Sequence, residues 1–135
     1  MSTPVVVTAY FRPAPGQHDR VVEVLRPSIG AVHEEPGCEL YAIHDAPDGT
    51  IVMIEKWSSV EELDEHGRGE PVRAQTAALK GLLTSPVEVT RLMPLPAGSN
   101  EQGQLGTERP TFRATAEGGA LPCFKFPTSA EFPTR

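Results

Sequence analysis

The sequence predicts an α+β domain in which helices pack on one side of an antiparallel four-stranded sheet. Four short segments rich in β-branched and apolar residues alternate with helical patterns in the order strand, helix, strand, strand, helix, strand. A Pro-Asp-Gly turn at 47–49 lies between the two middle strands and is typical of a hairpin. This β-α-β-β-α-β order is that of the ferredoxin-like split βαβ sandwich.

The first half of the chain supplies two strands and one helix. The first strand is predicted at 5–11 and has apolar residues on both faces. Apolar residues at three- and four-residue spacings predict a helix from about 17 to 35. Pro27 lies inside that helix, so we expect it to kink or locally unwind the helix. The second strand is predicted at 38–44, after a Pro-Gly helix stop.

Residues 51–66 form the stretch around which we expect a functional site. Strand 51–57 is followed within two residues by a helix, and the serine pair at 58 and 59 is placed to cap that helix. Because side chains alternate along a strand, Met53, Glu55 and Trp57 share one face with Ile51. The helix carries His66 back over that face.

The last helix is predicted at about 70–83 and the last strand at 86–93. Pro71 lies in the first turn of the helix, where proline is tolerated. Arg91 shares a face of the last strand with Val87, Val89 and Met93. The sheet face away from the helices would also be apolar, and we expect a second copy of the chain to cover it in a homodimer.

Composition argues against several kinds of partner. The formal net charge of −6 is unfavourable for binding nucleic acid or an anionic membrane. There is no apolar run long enough for a membrane span and no secretory signal pattern, so we expect a cytoplasmic protein. The histidines and the two cysteines lack metal-ligand spacings, so no metal site is expected.

The chain divides by composition near residue 96. Residues 1–96 carry the patterns described above and form one predicted domain. Residues 97–135 are rich in Gly, Pro, Thr and Ser without helical or strand periodicity. The favoured interpretation is a disordered appendage, and the alternative is an arm that docks on the partner subunit.

His66 and Glu55 are the candidate catalytic residues. Imidazole titrates near neutrality, so His66 could act as a general base, although a histidine at a helix C-terminus is more often structural. Glu55 lies on a face that we expect to be buried, where a carboxylate needs a partner or has a raised pKa. An ion pair with Arg91 is the commoner outcome, and a role as proton acceptor is the alternative.

Aromatic and apolar side chains could form the wall of a pocket for an aromatic ligand. Trp57 is large and flat enough for this purpose, although an apolar residue that faces the helices more often packs in the core, and packing in the core or the dimer would also account for Trp57. The residues that could join this wall include Tyr10, Tyr41 and Met53.

Five short motifs occur in a fixed order along the chain. They are Pro15-Gly16, Glu35-Pro36-Gly37-Cys38, Tyr41, Glu55-Lys56-Trp57 and Leu63-Asp64-Glu65-His66. In order and spacing they resemble the antibiotic biosynthesis monooxygenase domain over about residues 5–95. The resemblance implies a dimeric α+β barrel, in agreement with the apolar open sheet face.

The resemblance also implies a reaction. Similar enzymes oxidise quinols or polycyclic phenols with molecular oxygen and without flavin, haem or metal, because the deprotonated substrate itself reduces oxygen. By motif position Trp57 and His66 would line the pocket, and Glu55 matches the family glutamate. Haem-degrading relatives use an asparagine and a histidine where this chain has Thr8 and a helix at 72–83 without histidine, so haem degradation is not expected. The alternative is a small ligand-binding or stress-response module of the same fold without turnover.

Overall fold

A computed structural model describes residues 3–105, which form one four-stranded sheet and three helices. The elements are β1 Val5–Phe11, α1 His18–His33, β2 Cys38–Asp45, β3 Ile51–Trp57, α2 Val60–Gly67, α3 Glu70–Ala78 and β4 Glu88–Leu92. The strands lie in the order β2-β3-β1-β4, and every neighbouring pair is antiparallel. This arrangement confirms the predicted ferredoxin-like α+β fold.

The core lies between one face of the sheet and the helices. Alternate residues of β1 are buried, as are Ile51, Met53, Glu55 and Trp57 of β3. Helix α1 contributes Val21, Leu25 and Val32, which are fully buried. Burying an aliphatic side chain of this size stabilises a fold by about 1.5–3 kcal/mol. In β1 and β3 the strand faces predicted from alternation are therefore the observed ones.

Helix α1 continues through Pro27, so the predicted local unwinding is wrong. Proline removes one amide donor from the helix. Pro27 lies on the exposed side of α1, and the next residue, Ser28, donates its hydroxyl to the carbonyl of Leu25 at 2.9 Å. The buried residues on either side of Pro27 hold the helix to the sheet, which offsets the missing bond.

Helix α3 ends at Ala78, five residues before the predicted end. Gly81 has φ of +81°, a conformation that ends a helical course and favours glycine. The following residues turn back to the β1–α1 loop, where Ala14 donates its amide to Leu82 at 2.8 Å and Thr84 donates to Arg12 at 2.8 Å. Strand β4 is likewise shorter than predicted.

The predicted C-terminal tail is described only as far as residue 105. Residues 97–103 form a tight turn in which the amide of Gly103 donates to the carbonyl of Ser99 at 2.7 Å. The rest of the tail prediction falls on 106–135, outside the described residues. Between residues 3 and 105, no helix has the length and hydropathy to cross a membrane.

Candidate functional site

A cavity of about 520 Å³ lies between the helix-covered face of the sheet and helices α2 and α3. The strands supply Val7, Ala9, Phe11, Tyr41, Glu55, Val89 and Arg91, and the helices and the loop after α3 supply Leu63, His66, Val72, Gln75, Thr76, Leu79, Lys80 and Leu83. Val89 pairs with Ala9 and so shares the helix-covered face, yet it is 60% exposed. The helices thus leave the β4 edge uncovered, and the cavity opens there.

Helix α2 places His66 in the cavity wall. The helix begins directly after β3, and the hydroxyl of Ser59 caps it by accepting the Glu62 amide at 3.2 Å. Nδ1 of His66 lies 2.8 Å from Oε1 of Glu35, and His66 is only 7% exposed. When Nδ1 carries the proton and donates to the carboxylate, Nε2 is the basic nitrogen. Within residues 3–105, Nε2 makes no hydrogen bond, so it is available to a ligand.

Two aromatic rings hold the imidazole of His66. The Trp57 ring centroid lies 4.6 Å from that of His66 at an angle of 34°, and the Tyr41 ring meets His66 edge-on at 5.3 Å. Trp57 is 0% exposed and is not part of the cavity wall. Its placement differs from the predicted flat wall of the pocket: Trp57 packs against the catalytic candidate rather than facing the ligand space.

Glu55 lines the cavity, but its predicted ion pair with Arg91 does not form. Val7 pairs with Glu55 on one side and with Arg91 on the other, so the two residues are separated by a strand, or about 10 Å. Arg91 instead donates to Asp64 at 2.8 Å. Oε1 of Glu55 accepts the indole N–H of Trp57 at 2.9 Å.

Burial raises the pKa of the Glu55 carboxyl above its ordinary value. The hydrogen bond from Trp57 and the positive charges of His66 and Arg91 act in the opposite direction and are the smaller effects. Glu55 therefore keeps a proton at higher pH than an exposed glutamate does, which suits a group that exchanges protons with a ligand.

A second polar group in the cavity was not identified from the sequence. The side-chain amide of Gln75 donates to the hydroxyl of Ser28 at 2.7 Å and approaches the hydroxyl of Tyr41 at 3.5 Å. Burial raises the pKa of Tyr41, so its phenol stays protonated at neutral pH. Gln75 lies among alanine and threonine in a short helix, and neither its spacing nor its neighbours mark it as functional. Glu35 appeared in the sequence only as part of a motif, with no role assigned.

The other predicted ligand-binding residues are dispersed. Tyr10 lies on the opposite face of the sheet, with the Arg12 guanidinium 5.5 Å from its ring centre. Met53 is 0% exposed in the core. The cavity thus brings together four of the predicted residues, His66, Glu55, Tyr41 and Arg91, and their roles stay predictions. In the described part of the chain no cluster of His, Cys, Asp and Glu could hold a metal ion.

Comparison with known proteins places this geometry in a family. The family described as antibiotic biosynthesis monooxygenase matches residues 4–77. The chain belongs to this family. The predicted resemblance is therefore confirmed.

Curated relatives and solved structures of similar fold extend the match. "Putative monooxygenase Rv0793" from Mycobacterium tuberculosis is 39% identical over 101 residues, which is 73% of this chain and 99% of the relative. Its structure aligns with a TM-score of 0.66 at 35% identity, covering 72% of this chain and 100% of that one. "Probable quinol monooxygenase YgiN" from Escherichia coli K12 is 36% identical over 90 residues, 57% of this chain and 86% of the relative. The structure of PA3566 from Pseudomonas aeruginosa aligns with a TM-score of 0.64 at 28% identity, covering 70% and 97% of the two chains.

Proposed function

We propose that this protein is a cofactor-free monooxygenase that oxidises a quinol or polycyclic phenol with molecular oxygen. The observation that carries the proposal is His66 in the wall of a largely apolar cavity, with its Nδ1 held by the half-buried carboxylate of Glu35. The names of the relatives support the reaction class, and one of them names a quinol. A cavity of about 520 Å³ suits an aromatic ligand of two or three rings, within the usual range for small-molecule sites.

The first step is removal of a phenolic proton. Nε2 of His66 accepts it, and the carboxylate of Glu35 stabilises the imidazolium that forms. The apolar walls exclude water from the phenolate that forms. Its electrostatic interaction with these polar groups is therefore stronger than it would be in water. The deprotonated substrate is electron-rich enough to reduce oxygen directly, so the substrate is the reductant.

The overall reaction balances without another reductant. The substrate loses two hydrogen atoms and gains one oxygen atom, while the second oxygen atom leaves as water. Cleavage of the O–O bond requires a proton at the departing oxygen. Glu55, whose pKa is raised by burial, is the proposed donor of that proton and is recharged by the proton held on His66 or by solvent. Tyr41 and Arg91 are proposed to bind the substrate, and Trp57 and Met53 support the wall from behind.

The test is oxygen uptake by metal-stripped protein with a panel of hydroquinones and anthrone-type phenols. We expect uptake without added cofactor, and a fall of roughly 10²- to 10⁴-fold in His66→Ala, the usual contribution of a general base. His18→Ala is the matched control, because His18 lies at the start of α1 and is not part of the cavity wall. Wild-type rates in His66→Ala would contradict the mechanism.

A ligand-binding module without turnover is the alternative, favoured by the predominance of apolar side chains in the cavity wall. Trp57 is the single tryptophan and contacts His66, so ligand binding should change its fluorescence. Saturable quenching with no oxygen uptake across the panel would favour this alternative.

We also propose a homodimer, in the cytoplasm, formed through the open face of the sheet. The half-buried side chains of Val6 and Ile54 and the 42% exposed Leu92 form an apolar surface there. Sedimentation analysis should give twice the chain mass for the wild type, and Ile54→Glu should shift it toward the monomer. A monomeric wild-type protein would rule out the dimer.

A further inference from the structure

We propose that Gln75 and Tyr41 form a second polar subsite in the cavity, which recognises a second oxygen substituent on the aromatic ligand. This substituent is distinct from the hydroxyl presented to His66. The inference rests on the proposed function for the class of ligand, a polyoxygenated arene, and it adds residues that discriminate among such ligands.

The orientation of the Gln75 amide is fixed by its neighbours. Gln75 is 8% exposed, and its Nε2 donates to Oγ of Ser28 at 2.7 Å. The hydroxyl proton of Ser28 is used in the bond to the Leu25 carbonyl at 2.9 Å, so Oγ acts as an acceptor toward Gln75. The amide must therefore present its NH₂ group to Ser28. Its Oε1 accepts no hydrogen bond within residues 3–105.

Tyr41 supplies a matching donor. It is 4% exposed, and its hydroxyl oxygen receives only a long contact of 3.5 Å from the Gln75 amide. The phenolic proton has no acceptor in the described part of the chain, and because burial raises the pKa of Tyr41 that proton is retained at neutral pH. An acceptor and a donor, both more than nine-tenths buried, thus lie side by side in the cavity wall.

A ligand hydroxyl satisfies both groups at once, since it donates to Oε1 of Gln75 and accepts from Tyr41. A ligand without an oxygen at this point leaves two buried polar groups without partners, which is unfavourable. A site built around such groups discriminates strongly against the analogue that lacks the hydroxyl. The pair should therefore determine selectivity among arenes of the same size.

The subsite is separate from the proposed base. His66 is held by Glu35, which follows α1, whereas Gln75 on α3 is held by Ser28 within α1. Tyr41 contacts both residues, since its ring centroid lies 5.3 Å from that of His66 and its hydroxyl lies 3.5 Å from the amide nitrogen of Gln75. His66 and the Gln75–Tyr41 pair are thus two separate polar points in the wall of one cavity.

The experiment measures binding in the absence of oxygen, so that turnover does not enter. Dissociation constants for 1-naphthol and a set of naphthalenediols are determined by calorimetry for the wild type, Gln75→Leu, Tyr41→Phe and Thr76→Val. The last is a matched control, because Thr76 is the adjacent polar residue of the cavity wall. Circular dichroism and thermal melting verify that each variant is folded, and Tyr41→Phe, which removes one hydroxyl, serves if Gln75→Leu does not fold.

We expect at least one diol to bind the wild type roughly tenfold more tightly than 1-naphthol. Gln75→Leu and Tyr41→Phe should each bring that ratio to about twofold or less, chiefly by weakening the binding of the diol, while Thr76→Val keeps the ratio. Equal binding of all diols and 1-naphthol, or a preference that persists in Gln75→Leu, would overturn the subsite. Oxygen uptake without diol preference would reject the subsite alone, and diol preference without uptake would reject the monooxygenase alone.

Discussion

Replacing Glu35 by glutamine tests whether its carboxylate helps His66 to accept a proton. The two side chains are 2.8 Å apart and only 18% and 8% exposed, so water screens their interaction weakly. A hydrogen bond to a charged group contributes about 1.5–3 kcal/mol, and about 1.4 kcal/mol corresponds to a tenfold change in rate. The glutamine amide lacks the charge that stabilises the imidazolium. We therefore expect Glu35→Gln to lower kcat roughly 10- to 150-fold.

The assay is the initial rate of oxygen uptake with the most active quinol of the panel. Glu34→Gln is the matched control, because Glu34 is adjacent in sequence and exposed. Since Glu35 is proposed to act only through His66, Glu35→Gln should add little to the defect of His66→Ala. A folded Glu35→Gln protein with the wild-type kcat would refute the proposed role of the carboxylate.

Three further measurements follow from the structure. Burial raises the pKa of Glu55, so the folded protein binds the proton of the Glu55 carboxyl more tightly than the unfolded chain does. The free energy of unfolding should therefore fall as the pH rises from about 4.5, the ordinary pKa of glutamate, through the raised pKa of the folded state. Urea denaturation at several pH values should show this loss in the wild type and not in Glu55→Gln; identical pH profiles would contradict it. Ser59→Ala removes the cap of α2 and should lower the free energy of unfolding by about 1 kcal/mol in the same assay. An unchanged free energy of unfolding would show that the hydrogen bond from the Glu62 amide to the Ser59 hydroxyl does not stabilise the fold. Burial raises the pKa of the Cys38 thiol to about 11. In a Cys123→Ser variant, the reaction of Cys38 with a disulfide reagent should therefore be slow at pH 7 and should accelerate steadily up to pH 10. Rapid reaction at pH 7 would contradict a buried thiol with a raised pKa.

The sequence by itself determined the elements and the faces that they bury. Alternation in β3 placed Glu55 and Trp57 on the buried face, and the serine pair after that strand located the start of α2. These features are local, since side-chain direction along a strand and capping depend on residues a few positions apart. The order of elements was then enough to predict the sheet, because few topologies join them with short connections.

Only the tertiary structure decided which polar groups meet. Glu35 and His66 are 31 residues apart, and Ser28 and Gln75 are 47 apart, so no local pattern connects them. The sequence instead suggested Glu55 and Arg91 as partners, but the register of β1 places a strand between them. Likewise the cavity exists because the helices stop short of β4, and that depends on how the layers pack. Periodicity specifies which side of an element is buried, whereas the distance between two buried groups depends on the packing of the whole domain.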